Sequence, residues 1–238
     1  MIPADQHLNI GSVIFDGMDQ IDFTGPFEVL ARIPNSTLHI GSKTLDPITD
    51  TRGLKILPEK TLEDMPKLDI LHVPGGPGQE DLMEDEDYLS FIRTQAEGAK
   101  YVFSVCTGAL ICGAAGLLRG KRATTHWAAM EVLPYLGAIP LTDRVVIEGN
   151  YYFAGGVTSG IDGALKLAAD IRGDDAAMQI QLYMQYHPEP PFDAGTPDRA
   201  PAEVVERSRN SVKELTARRI ETAKRIASKL DLPYGGKA

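Results

Sequence analysis

The chain has 238 residues, 43% of them hydrophobic, enough for a substantial packed core. Its 24 Lys and Arg against 33 Asp and Glu leave a formal charge of -9, which opposes binding to nucleic-acid phosphates or an anionic membrane surface. No apolar run approaches the roughly 20 residues of a membrane span, and the opening Met1 to Asn9 lacks the basic and apolar regions of a secretion signal. Two cysteines, Cys106 and Cys112, provide neither a disulfide framework nor a zinc-ligand spacing. A cytoplasmic globular protein is expected, with no metal or organic cofactor implied by any motif.

In chain order, Leu8 to Phe15 is β-branched and apolar, stops at Asp16-Gly17, and reads as a first buried strand. Ile21, Phe23, Phe27, Leu30 and Ala31 follow at helical spacing, and Pro26 suits a first turn, so a helix is expected from near Thr24. Short strands are expected at Leu38 to Ser42 and Leu54 to Leu57. A stronger one at Leu68 to Val73 stops at the Pro74-Gly75-Gly76-Pro77-Gly78 loop, which leaves backbone amides exposed. Asp85 to Gly98 reads as a helix, Tyr101 to Val105 as a buried strand, and Thr107 to Leu118 as a small-residue helix packed on the sheet.

Two strands joined at Glu148-Gly149-Asn150 are expected around Arg144 to Ala154, then helices over Ser159 to Ile171 and Asp174 to Tyr186. A Pro-rich loop, Pro188 to Pro201, leads to a C-terminal helix over 201–230, with 231–238 a frayed tail. Strand alternating with helix favours a parallel α/β sheet with helices on both faces. No repeat or linker divides residues 1–238, so a single domain is expected.

Chemistry concentrates at Cys106. A cysteine between an apolar strand and a Thr-Gly-Ala helix start meets unpaired amides that favour thiolate over thiol, so a lowered pKa is expected. Those amides, with the amides of Gly75 and Gly76, offer stabilisation to negative charge developing on a substrate attacked by sulfur. The alternative for Cys106 is a small buried hydrophobe, and Cys112, amid Leu110, Ile111 and Gly113, is read that way.

The elbow Ser104-Val105-Cys106-Thr107-Gly108-Ala109, the loop Val73-Pro74-Gly75-Gly76, the block Ala123-Thr124-Thr125-His126-Trp127 and the opening Asp22-Phe23-Thr24-Gly25-Pro26 together resemble the PfpI superfamily. The resemblance spans almost the whole chain and implies a class I glutaminase-like, flavodoxin-like fold with a cysteine nucleophile elbow. Within the superfamily the chain is similar to the isocyanide hydratases. They share an Asp before Thr-Gly-Pro, the Gly155 to Asp162 segment, and a Pro-Pro-Phe-Asp-Ala-Gly-Thr-Pro loop before the last helix.

That resemblance implies hydration of an organic isocyanide to an N-substituted formamide through a covalent thioimidate. Cys106 would add to the terminal carbon, Asp22 would supply the proton that carbon needs, and Thr107 would donate its amide beside the sulfur. Gly155, Val157 and Thr158 would help hold the substrate or the attacking water. Read without the resemblance, Asp22 is a helix N-cap. His126, before Trp127 and Ala128, is read as a packed residue near the sulfur and not as its base.

Four other functions compete with that reading. His187-Pro188-Glu189 matches the base motif of class I glutamine amidotransferases, but it ends a helix, so His187 is read as a C-terminal helix residue favourable to the dipole and Glu189 as solvated. Glyoxalase or deglycase relatives usually carry Glu in place of Asp22, and peptidase relatives need His where Thr107 stands. Redox or ligand sensors also occur in the superfamily. Val204, Val205, Val212, Leu215, Ile220, Ile226 and Leu230 form a partly apolar stripe on the last helix, which should pack on its own domain or on a partner. A homodimer is the expected assembly.

Overall fold

The computed structural model describes residues 1–233. The chain runs β1 (Leu8–Val13), α1 (Gln20–Leu30), β2 (Ser36–Ser42), β3 (Ile48–Thr49), β4 (Lys55–Ile56), β5 (Lys60–Thr61), β6 (Ile70–Val73), α2 (Gln79–Leu82), α3 (Glu86–Gly98), β7 (Tyr101–Val105) and α4 (Gly108–Ala114). It continues through β8 (Arg122–Ala123), a 3-10 helix (Trp127–Leu136), β9 (Ile139–Pro140), β10 (Val145–Glu148), β11 (Tyr151–Ala154), α5 (Ser159–Arg172), α6 (Asp174–Tyr183) and α7 (Ala202–Lys229).

Seven strands form one sheet in the order β10-β11-β7-β6-β1-β2-β5, parallel except for β10. The central strands β6 and β7 carry apolar side chains on both faces because helices cover both. Ile70 and Phe103 point into one core with Val29, Leu30, Ala164 and Leu167, while Leu71 and Val102 point into the other. Each such fully buried side chain stabilises the fold by roughly 1.5–3 kcal/mol, which is why these strands read as continuous apolar runs and not as an alternation.

Among the boundaries that differ from the sequence expectation, three have a clear local reason, while the helix expected to reach Tyr186 ends at Tyr183. Helix α1 starts at Gln20, not near Thr24, because Asp19 caps it, with Oδ1 accepting the Ile21 N–H at 3.1 Å. Asp22 therefore lies inside the first turn, and Pro26 lies inside the helix. Helix α4 stops at Ala114, and the chain turns at Gly116, where φ is +83°. At the other end Leu232 is 6% exposed and its N–H donates to the Ala227 carbonyl at 2.9 Å, so the expected frayed tail is docked as far as the structure describes it; residues 234–238 lie outside the described residues.

In α7 the expected apolar stripe is only partly what packs. Ile226 is buried, but so are Thr216, Arg219 and Thr222, while Val204 is exposed. Polar groups and the buried Ala223, Ile226 and Ala227 together anchor the second half of this helix, and its first half is largely exposed.

The elbow depends on close approach of two strand ends. A Cβ at Gly108 would lie 2.1 Å from the Val73 carbonyl oxygen, and neither backbone can yield without breaking the β6–β7 ladder. Gly108→Ala should destabilise the protein by about 3 kcal/mol or more, read as a lowered midpoint of urea unfolding at unchanged slope.

Candidate active site

Strand β7 delivers Cys106 to the carboxyl edge of the sheet, and the chain turns there with Cys106 at φ +55°. A left-handed conformation costs a non-glycine residue on the order of 1–2 kcal/mol, and hydrogen bonds on both sides hold it. The Cys106 N–H donates to the Ala154 carbonyl at 2.9 Å, and its carbonyl accepts from Thr125 Oγ1 at 2.7 Å. The thiol is 5% exposed and free, as is that of Cys112, which burial pushes up to about 12.

Asp22, fully buried in the first turn of α1, is the side chain that meets the thiol. Its Oδ2 accepts the Gly75 N–H at 3.1 Å, while Oδ1 is buried with no formed hydrogen bond. Burial first, then the charge of Asp19, raises the Asp22 pKa to about 7. The Cys106 thiol moves the opposite way from the sequence expectation. Burial, and then Asp22, push it well above the ordinary thiol range, and the amides of Thr107 and Val157 only partly oppose this. Helix α4 is seven residues long, too short for its dipole to reverse the balance. The thiol therefore keeps its proton while Asp22 gives up its own at about 7, so the pair passes from two protons to one around neutral pH.

The loop after β6 contributes differently from the expectation. Its glycines are required by space: a Cβ at Gly75 would come within 2.5 Å of the Thr107 nitrogen, and Gly76 sits at φ +127°. Both amides are already occupied, Gly75 by Asp22 and Gly76 by Thr107 Oγ1 at 2.9 Å. They hold the acid and the elbow in place and are not free to receive substrate charge. The Thr107 hydroxyl is likewise used, donating to the Gly76 carbonyl at 3.1 Å, which leaves the Thr107 amide facing sulfur.

On the opposite side the Gly155 N–H is bound to the Arg144 carbonyl at 3.0 Å, and the Thr158 side chain is turned outward to Arg144 Nη2 at 3.3 Å. Neither offers a free group to the sulfur; the Val157 amide does. His126 is half-buried and caps the 3-10 helix, its Nδ1 accepting the Ala128 N–H at 3.3 Å. Burial, then Arg219, holds its pKa down. His187 and Glu189 lie 3.8 Å apart, 88% and 84% exposed, in solvent.

Residues 10–170 match the model of the DJ-1/PfpI family. The chain belongs to this family. It is 52% identical over 225 residues to an isonitrile hydratase of Pseudomonas putida, covering 94% of this chain and 99% of that protein. It is 27% identical to the glutathione-independent glyoxalase DJR-1.2 of Caenorhabditis elegans, over 66% and 84% of the two chains. A crystal structure of a THiJ/PfpI family protein from Pseudomonas syringae superposes with a TM-score of 0.90 at 37% identity, covering 93% of each chain.

Within this DJ-1/PfpI core, two residues that sequence reasoning missed support Asp22 and the loop. His72 on β6 is fully buried, stacks on Phe103 with centroids 5.2 Å apart, and pairs its Nδ1 with Ser12 Oγ at 2.8 Å. The Asp22 carbonyl acts on its ring as an acceptor, in a contact too loose for a formed bond. That carbonyl has no helical donor because Pro26, four residues on, carries no N–H. Gln79, fully buried just past the glycine loop, is bound by Arg219 of α7. Nothing in the periodicity of β6 or α2 marks either as polar; each sits where an apolar residue would fit the pattern.

Because the folded protein keeps the Asp22 proton up to about 7 while an ordinary aspartate releases it near 3.8, the folded state binds the extra proton between those values. Stability contributed by this group therefore falls as pH rises through that window. Asp22→Asn should melt at a higher temperature than wild type at pH 8, by a few kcal/mol of added stability at roughly 1.4 kcal/mol per pH unit. The difference should vanish below pH 4 in thermal scans.

Proposed function

We propose that the chain hydrates organic isocyanides to N-substituted formamides, with Cys106 as nucleophile and Asp22 as proton carrier. The observation that carries this reading is the buried meeting of the Cys106 thiol and the Asp22 carboxyl. An isocyanide carbon must receive both a nucleophile and a proton at the same atom, and Cys106 and Asp22 present those two groups side by side. The identity of 52% to the isonitrile hydratase, over nearly the full length of both proteins, supports it.

In the first step the thiol proton passes to Asp22, sulfur bonds to the terminal carbon, and the carbon lone pair takes the proton from Asp22, leaving R-N=CH-S-Cys106. In the second, water adds to that carbon. Asp22, now carboxylate, takes one water proton and passes it to the nitrogen, giving R-NH-CH(OH)-S-Cys106. The carbon-sulfur bond then breaks, the hydroxyl proton returns to the Asp22–Cys106 pair, and R-NH-CHO departs. The amides of Thr107 and Val157 favour the thiolate that attacks first and leaves last. His126 shapes the site wall and takes no proton.

We also read the protein as a cytoplasmic homodimer. Among the described residues no helix is long and apolar enough to cross a membrane. The largely exposed first half of α7, with Val204 among its exposed residues, supports an assembly with a second copy. Light scattering on the purified chain decides the oligomeric state.

Formamide production from an aryl isocyanide, followed by absorbance, tests the reaction. Cys106→Ala should fall to background, and Asp22→Asn should lose roughly 100-fold or more in kcat/KM. Wild-type kcat/KM should rise with pH through about 7, because below it both members of the pair are protonated. An inert wild-type protein, or an Asp22→Asn variant with full activity, would overturn the reading.

A further inference from the structure

Between β11 and α5 the chain makes a turn, Gly155 to Thr158, from which the Val157 amide points at the Cys106 sulfur. Contacts at both ends seat this turn on the elbow. The Ala154 carbonyl takes the Cys106 N–H at 2.9 Å, and a Cβ at Gly160 would lie 3.0 Å from the Val105 side chain. Within the turn, the Gly156 carbonyl accepts from Ser159 at 2.8 Å and the Val157 carbonyl from Gly160 at 3.3 Å. The Val157 N–H, by contrast, donates to no backbone carbonyl among the described residues.

What fixes the turn from outside is Arg144, the residue ahead of β10. Its carbonyl accepts the Gly155 N–H at 3.0 Å, its Nη2 donates to Thr158 Oγ1 at 3.3 Å, and its Nε donates to Asp162 Oδ2 in the first turn of α5. The second Asp162 oxygen accepts the Tyr186 hydroxyl at 2.7 Å, which fixes the carboxylate in turn. One residue therefore grips the chain on both sides of Val157, through a planar fork that a flexible ammonium cannot reproduce. The Arg144 and Asp162 side chains are 53% and 32% exposed, so the ion pair adds little to global stability. Its effect falls on the turn.

We propose that Arg144 is a positioning residue for the reaction. By clamping Gly155, Thr158 and Asp162 it holds the Val157 amide toward the Cys106 sulfur, both as sulfur attacks and as it leaves. An amide hydrogen bond to an anion weakens steeply with distance and angle, so a displacement of the turn by about 1 Å is enough to lose it. Arg144 acts through the turn and takes no proton. The inference rests on the proposed reaction, in which Cys106 is the nucleophile.

Alkylation of Cys106 by iodoacetamide across a pH series, read by mass spectrometry of its peptide, tests the clamp without any isocyanide. Arg144→Met removes both side-chain contacts and keeps the carbonyl that binds Gly155. It should move the alkylation midpoint to higher pH and slow the reaction at pH 8 about tenfold, while the melting temperature changes by less than about 4 °C. Asp162→Asn should give a smaller displacement in the same direction, and the double variant little more than Arg144→Met alone, because both act through one clamp. In the hydration assay the loss should fall on kcat, with KM nearly unchanged. A profile for Arg144→Met superimposed on wild type, or for Asp162→Asn should the first variant not fold, overturns the proposal and leaves Arg144 as an ordinary surface ion pair. A displaced profile in a protein that hydrates no isocyanide overturns the proposed reaction alone; hydration with an undisplaced profile overturns the role of Arg144 alone.

Discussion

A carboxyl and a thiol buried side by side can keep one proton between them at neutral pH, because ionising both would set two negative charges in contact away from water. Most of the site can be understood as the means of holding Asp22 and Cys106 in that relation. The helix that carries Asp22 is capped one turn earlier than expected by Asp19, whose own charge pushes the Asp22 proton further toward retention. The strand that carries Cys106 ends in a left-handed turn, clamped by Ala154 on one side and Thr125 on the other.

The glycine loop illustrates how the surrounding backbone serves the pair. Its two amides are engaged, one by the acid and one by the hydroxyl of the residue after the cysteine, so the loop ties together two elements that are 53 and 31 residues away in sequence. Beneath it, Pro26 withholds a helical hydrogen bond from the Asp22 carbonyl and His72 faces the vacated position. Burial pushes His72 down to about 3, so the ring is neutral and adds no charge near the pair. The causes acting on Asp22 and on the Cys106 thiol accordingly include no cation.

What could be read in advance follows from how local each feature is. The elbow, the glycine loop and the strand β7 announce themselves through contiguous residues whose chemistry requires a turn, a close approach or a buried face, and the parallel α/β fold follows from their alternation. Roles that depend on which partner occupies an amide were not legible. Gly75 and Gly76 offer donors in any reading of the sequence, and only the fold shows that Asp22 and Thr107 take them. Thr158 belongs to the right segment yet faces Arg144, since one residue's rotation about a turn sends its neighbour's side chain to solvent.

By itself the sequence determined the fold class and singled out Cys106 and Asp22 as the candidate pair, because these rest on short runs of residues and on the family pattern they form. The tertiary structure alone decided the electrostatics. A proton affinity depends on the depth of burial and on charges brought together through space, and so the thiol expected to be acidic is held the other way by burial and then by its carboxyl neighbour. It also decided that α7, read as an apolar stripe, would seat a buried arginine on Gln79, since helical periodicity tells which residues share a face but not what lies opposite them.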